Sequence, residues 1–152
     1  EGLKMFISKN NVLYAFTVFL YFVSMPSAIF AETRKDAPLN ILGTTKVVAE
    51  DIFTLIEKFP NLIIIDARIR TDRIQGYLQG SVSLPDTKTD CASLKTVIPT
   101  KTSPVLFYCN GVKCGRSGKS SKRALQCGYK NIYWFRGGFE EWKSKKLPYL
   151  KK

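Results

Sequence analysis

Apolar and polar positions change rhythm several times along this chain, and each change marks an element. Ile52, Phe53, Leu55, Ile56 and Phe59 recur at the spacing of one helical face, and Pro60-Asn61 ends that run. Leu62-Ile63-Ile64-Ile65 is continuously apolar and rich in β-branched side chains, the pattern of a strand buried on both faces. It runs into Asp66-Ala67-Arg68, and after a polar stretch to Gly80 the segment Val82-Ser83-Leu84-Pro85 predicts a short strand closed by proline. Residues 91–98 predict a short helix, and Val105-Leu106-Phe107-Tyr108 a second strand buried on both faces. Residues 119–127 are again helical, with Gly128 placed as a C-cap. Asn131-Ile132-Tyr133-Trp134-Phe135 predicts a further strand. Gly137-Gly138 then turns the chain into a last helix carrying Phe139 and Trp142, ended by Leu147-Pro148. Strands alternating with helices predict a parallel α/β sheet, whose ligand sits outside the carboxyl ends of the strands. Cys109 stands at such an end.

The first residues follow another pattern. Lys4 and Lys9 precede an apolar run over 12–23, followed by Ser24-Met25-Pro26-Ser27-Ala28-Ile29-Phe30-Ala31. A basic start, a short apolar stretch and a small residue at a cleavage point predict a secretory signal peptide over 1–31, cut after Ala31. The alternative is an uncleaved N-terminal anchor, although the run is shorter than the ~20 residues of a spanning helix. Both place the domain outside the cytosol, in the periplasm or on the outer face of the inner membrane; a membrane partner is expected only if the leader stays. Residues 32–45 are mixed in polarity and read as a linker, leaving 46–152 as the domain.

Charge and composition narrow the chemistry. The chain of 152 residues carries a net charge of +12 and no histidine. That removes Ser-His and Cys-His dyads and histidine bases. The positive excess is concentrated from Lys113 onward, where twelve Lys or Arg face only Glu140 and Glu141. Such a field attracts small anions, and equally serves solubility; no specific nucleic-acid partner is expected. All four cysteines lie beyond residue 90. A domain with a real core does not require disulfide staples, so Cys91 and Cys127 are expected to be small core or helix residues.

Cys109 is different. In Cys109-Asn110-Gly111-Val112-Lys113-Cys114-Gly115-Arg116-Ser117-Gly118 a thiol at a strand end precedes a glycine-containing loop and a helix start. Backbone N–H groups there can converge on the sulfur, and Lys113, Arg116 and Lys119 add positive charge. Each influence is expected to favour the Cys109 thiolate. Sulfur relay needs such a thiolate: it attacks a sulfur donor, holds the outer sulfur as a persulfide and passes it on. A nucleotide-binding loop would need glycine five residues before Gly118, where Lys113 stands. Two cysteines five apart without histidine lack the remaining ligands of a zinc site. No metal or cofactor is expected.

Several of these segments together resemble the rhodanese family. Ile64-Ile65-Asp66-Ala67-Arg68 is similar to its strand ending in Asp-Val-Arg, and Gly80-Ser81-Val82-Ser83-Leu84-Pro85 to its Gly-Ala-x-Asn-Ile-Pro segment. Arg136-Gly137-Gly138-Phe139, Trp142 and Leu147-Pro148 are similar to its C-terminal signature. The resemblance implies a five-stranded parallel sheet flanked by helices on both faces, with the catalytic cysteine at the head of the loop. It also implies a small anionic sulfur donor such as thiosulfate or a polysulfide and a thiol or cyanide-like acceptor, with a protein acceptor as the alternative. Cys109 and Arg116 then act on the donor, residues Asn110, Gly111, Val112, Lys113, Cys114, Gly115 and Ser117 form the binding loop, and Asp66 and Arg68 support it. Two departures stand out. Arg116 lies seven residues after Cys109, two more than in the family's sulfurtransferase loop, and Gly76-Tyr77 replaces its Gly-His. The spacing leaves a phosphatase-like anion hydrolase as a weaker alternative. Cys114 is either a resolving thiol for Cys109, which makes the domain a redox-responsive thiol/disulfide module, or a loop residue without a role.

Overall fold

The β-branched runs form the centre of a five-stranded sheet in the computed structural model, which describes residues 36–151. Its strands are β1 (Thr45–Val47), β2 (Ile63–Asp66), β3 (Val82–Ser83), β4 (Val105–Tyr108) and β5 (Ile132–Phe135). They lie in the order β1-β5-β4-β2-β3, and every neighbouring pair is parallel. The helices are α1 (Ala49–Lys58), α2 (Arg70–Arg73), α3 (Cys91–Val97), α4 (Arg116–Gln126) and α5 (Gly138–Ser144).

Alternation along the central strands divides the core. Ile64, Leu106 and Tyr108 face Ile52, Leu55, Phe139 and Trp142 of α1 and α5. Ile65, Val105 and Phe107 face Leu94 and Ile98 at α3 and Ala124 of α4. Side chains on successive strand residues point to opposite faces, so a strand covered by helices on both sides must be apolar throughout. Helix ends follow local chemistry. Asp90 accepts the Ser93 amide at 2.7 Å and Ser93 Oγ accepts the Asp90 amide at 2.9 Å, which caps α3. Gly128, at φ +86°, stops the chain after α4 as predicted.

Several elements differ from the sequence expectation. The strand β1 and the four-residue α2 were not foreseen, and α4 starts at Arg116 rather than at 119. The described part of the expected linker is packed: Ala37 and Ile41 are buried against Trp134, and the Ala37 amide donates to the Val112 carbonyl at 2.8 Å. Cys91 and Cys127, expected to be unlinked, form a disulfide with a Cα–Cα distance of 5.5 Å. It ties the start of α3 to the end of α4, where their packing brings the two residues within bonding reach. The expected leader over 1–31 and the first residues of the expected linker lie outside the described residues.

Candidate active site

The site is built where β2 and β4 end side by side, Asp66 opposite Tyr108. Asp66, fully buried, accepts five hydrogen bonds: from the Arg68 amide (3.1 Å), Arg68 Nε (2.8 Å) and an Arg68 terminal nitrogen (2.7 Å), from Arg73 (2.9 Å), and from the Tyr108 hydroxyl (2.8 Å). Arg68 also donates to the Gly76 carbonyl at 2.7 Å and lies over the Phe139 and Tyr108 rings. This network underlies the end of β4. Neither Asp66 nor Arg68 is hydrogen-bonded to Cys109.

Cys109 leaves β4 fully buried. Its carbonyl accepts the Phe139 amide at 2.9 Å, and the Asn110 carbonyl accepts the Glu140 amide at 2.7 Å. This close approach requires Gly138, at φ +58°: a Cβ there would stand 2.3 Å from the Cys109 carbonyl oxygen. Gly138→Ala is therefore expected to lower stability by at least ~2 kcal/mol, read as a lower urea midpoint. An unchanged midpoint would mean that the loop tolerates a retreat from α5.

The loop cradles sulfur, but the sulfur it cradles is that of Cys114. Cys109 Sγ donates to the Cys114 carbonyl at 3.0 Å and accepts from Ser117 Oγ at 3.2 Å. Ser117 Oγ in turn accepts from Trp134 Nε1 at 3.0 Å. The Ser117 amide also reaches Cys109, whereas the amides of Asn110 and Arg116 serve the Cys114 sulfur. A carbonyl oxygen facing Cys109 favours its S–H form. Hydrogen bonding between the two thiol groups, distinct from the bond to the carbonyl, and burial push the Cys109 thiol up. The same bond from Cys109, the two amides and the Arg116 charge lower Cys114 to about 6, against the desolvation that raises it. The sequence expectation put the anion-stabilising groups around Cys109; in the fold the loop turns back, the Cys114 carbonyl faces Cys109 Sγ at 3.0 Å, and Cys114 lines the cleft beside Arg116.

Arg116 is held by carboxylates. It donates to Asp72 Oδ2 at 2.6 Å, and its Nε lies 3.7 Å from Asp86 Oδ1. Asn110 Nδ2 donates to the same Asp72 oxygen at 3.0 Å. Asp72, Glu140, Trp134 and Asp86 are site residues that the sequence reading missed. Asp72 lay in an unpatterned polar stretch, and Glu140 was counted only as a charge. The cleft, about 280 Å³, is lined by Asn110, Lys113, half-buried Cys114, Gly115, Arg116 and Glu140. Of the predicted loop residues, Asn110, Lys113, Cys114 and Gly115 line it, Gly111 is buried, Val112 is exposed and Ser117 lies buried beneath Cys109.

The sequence matches the rhodanese-like domain family over residues 49–145, most of the described fold. The chain belongs to the rhodanese-like family. Solved structures agree on the fold. The BH2092 protein of Bacillus halodurans is 16% identical, with a TM-score of 0.63 over 95% of this chain and 87% of that one. A thiosulfate sulfurtransferase from Pseudomonas aeruginosa is 19% identical, with a TM-score of 0.59 over 71% of this chain and 20% of that one. A rhodanese from E. coli, solved with anions, is 24% identical, with a TM-score of 0.51 over 60% of this chain and 99% of that one. A comparison with curated proteins finds no match. In this rhodanese-like domain Cys109 occupies the head of the loop, and the added loop length brings Cys114 alongside it.

Proposed function

We propose that this rhodanese-like domain is an exported sulfurtransferase that takes a sulfane sulfur from a small donor, thiosulfate or polysulfide-like, into the loop headed by Cys109. The observation that carries this reading is the pair of free thiols, Cys109 and Cys114, in one loop at the carboxyl end of the central strand, with Cys109 Sγ 3.0 Å from the Cys114 carbonyl. Family membership supports sulfur transfer as the chemistry. Lys113 at the cleft and the basic C-terminal half favour an anionic donor. A thiol or cyanide-like acceptor, or an acceptor protein, would collect the sulfur. The Cys91–Cys127 disulfide supports delivery to an oxidising compartment, as the N-terminal pattern suggests.

The test is sulfite release. The full chain, with its loop thiols reduced, is mixed anaerobically with thiosulfate. About one equivalent of sulfite per chain is expected, and none from the double variant Cys109→Ser/Cys114→Ser. A wild-type chain that releases no sulfite would sink the thiosulfate reading. The contact between the two thiols also favours a second reading, a redox-responsive thiol/disulfide module. That reading gains if mild oxidation closes the pair while thiosulfate leaves it untouched.

A further inference from the structure

Sulfur transfer into this loop leaves open which thiol receives the sulfur, and the geometry separates the two. Cys109 is sealed: fully buried, its sulfur between the Cys114 carbonyl and Ser117, its carbonyl bonded to Phe139. Cys114 lines the cleft beside Lys113 and Arg116. A donor with a sulfonate end meets Cys114 first and meets Cys109 only through it.

Resting on the sulfur-transfer reading above, we propose that Cys114 is the entry nucleophile and Cys109 the discharging thiol, so that the loop reduces a sulfane sulfur to sulfide. In the first step the Cys114 thiolate attacks the outer sulfur of thiosulfate. The donor's S–S bond breaks, sulfite leaves with the bonding pair, and Cys114 carries a persulfide anion. In the second step Cys109 attacks Cys114 Sγ and passes its proton to the departing sulfur. A Cys109–Cys114 bond forms, the persulfide bond breaks and hydrosulfide leaves. The two thiols are oxidised to a disulfide, and the outer sulfur is reduced to sulfide. A dithiol reductant restores the pair for the next round.

The local contacts suit each role. The amides of Asn110 and Arg116 stabilise negative charge on Cys114 before attack. Cys109 holds the proton the second step must deliver, and the Ser117 hydroxyl, polarised by Trp134, stands ready for the charge that develops on Cys109. Both thiols belong to one short loop, with Cys109 Sγ 3.0 Å from the Cys114 carbonyl, so the second step is intramolecular and discharge is favoured over storage.

The experiment follows sulfite, sulfide and intact mass after thiosulfate is added to the full chain with its loop thiols reduced. The wild-type chain is expected to release sulfite and sulfide in equal amounts and to finish two hydrogens lighter. Cys109→Ser should release sulfite without sulfide and retain one extra sulfur on Cys114. Cys114→Ser should slow the sulfite burst by at least about tenfold. If Cys114→Ser keeps the wild-type burst and carries the extra sulfur on Cys109, the assignment is overturned while sulfur transfer stands. A wild-type chain that stores a persulfide and yields no sulfide overturns the reductive step. Absence of sulfite from the wild type removes the thiosulfate reading on which this proposal rests. A measurement without variants guards against misfolding: iodoacetamide at about pH 7 should label Cys114 at least about tenfold faster than Cys109. Because the Cys114 pKa lies near 6, that labelling should fall as pH drops through about 6, where its thiolate is lost. Equal labelling, or Cys109 first, contradicts the proposal.

Discussion

Asp66→Ala is expected to lower the stability of the domain by about 3–5 kcal/mol, the cost of removing one partner of a buried ion pair. Arg68 is almost completely buried and rests on Asp66 through two side-chain hydrogen bonds. Without the carboxylate, the guanidinium keeps only the Gly76 carbonyl and the faces of Phe139 and Tyr108. Arg73 loses one of its contacts and the Tyr108 hydroxyl loses its acceptor at 2.8 Å. Asp66→Asn keeps the shape but not the charge, and should lose a comparable amount. The urea midpoint should fall with an unchanged slope; a loss under 1 kcal/mol would show that the network is dispensable. Acid should act through the same group. Burial alone would raise the Asp66 pKa, but the hydrogen bonds and charge of Arg68, with the Tyr108 hydroxyl, outweigh it and lower the value. A depressed carboxylate contributes stability above its unfolded pKa of about 3.9, and that contribution is lost as pH falls through the lower folded value. Unfolding in the wild type should therefore steepen below about pH 4, and this component should vanish in Asp66→Asn.

Removing the Cys91–Cys127 disulfide is expected to cost about 3–4 kcal/mol on the loop-entropy scale, given the sequence separation of 36. The double variant Cys91→Ala/Cys127→Ala measures this without disturbing the loop thiols. The crosslink restrains the unfolded chain, so the variant's urea midpoint should fall with little change in the native circular dichroism. A change under 1 kcal/mol would mean that α3 and α4 are held by their packing alone. Cys91 is exposed, so a mild reductant should open this bond without unfolding the core. Thermal midpoints recorded with and without reductant should therefore differ in the wild type and coincide in the variant.

The four strands after β1 and the position of Cys109 could be read from local patterns in the sequence. A run such as Val105-Leu106-Phe107-Tyr108 has one stable solution, a strand covered on both faces, and the residue after it must leave at the sheet's carboxyl end. The helix stop at Gly128 was legible for the same reason, since the required backbone conformation belongs to one residue. Three-residue β1 was not legible, because its identity comes from pairing with β5 across the chain. Only the tertiary structure decided what joins distant residues: the Cys91–Cys127 bond, Asp72 holding Arg116 and Asn110, Trp134 behind Ser117, and Ala37 against Val112. It also decided how the two loop thiols are surrounded. Composition places Lys113, Arg116 and Lys119 near both thiols. The pKa of a thiol is set by the few groups touching its sulfur, and the folded loop turns amides toward Cys114 and a carbonyl toward Cys109.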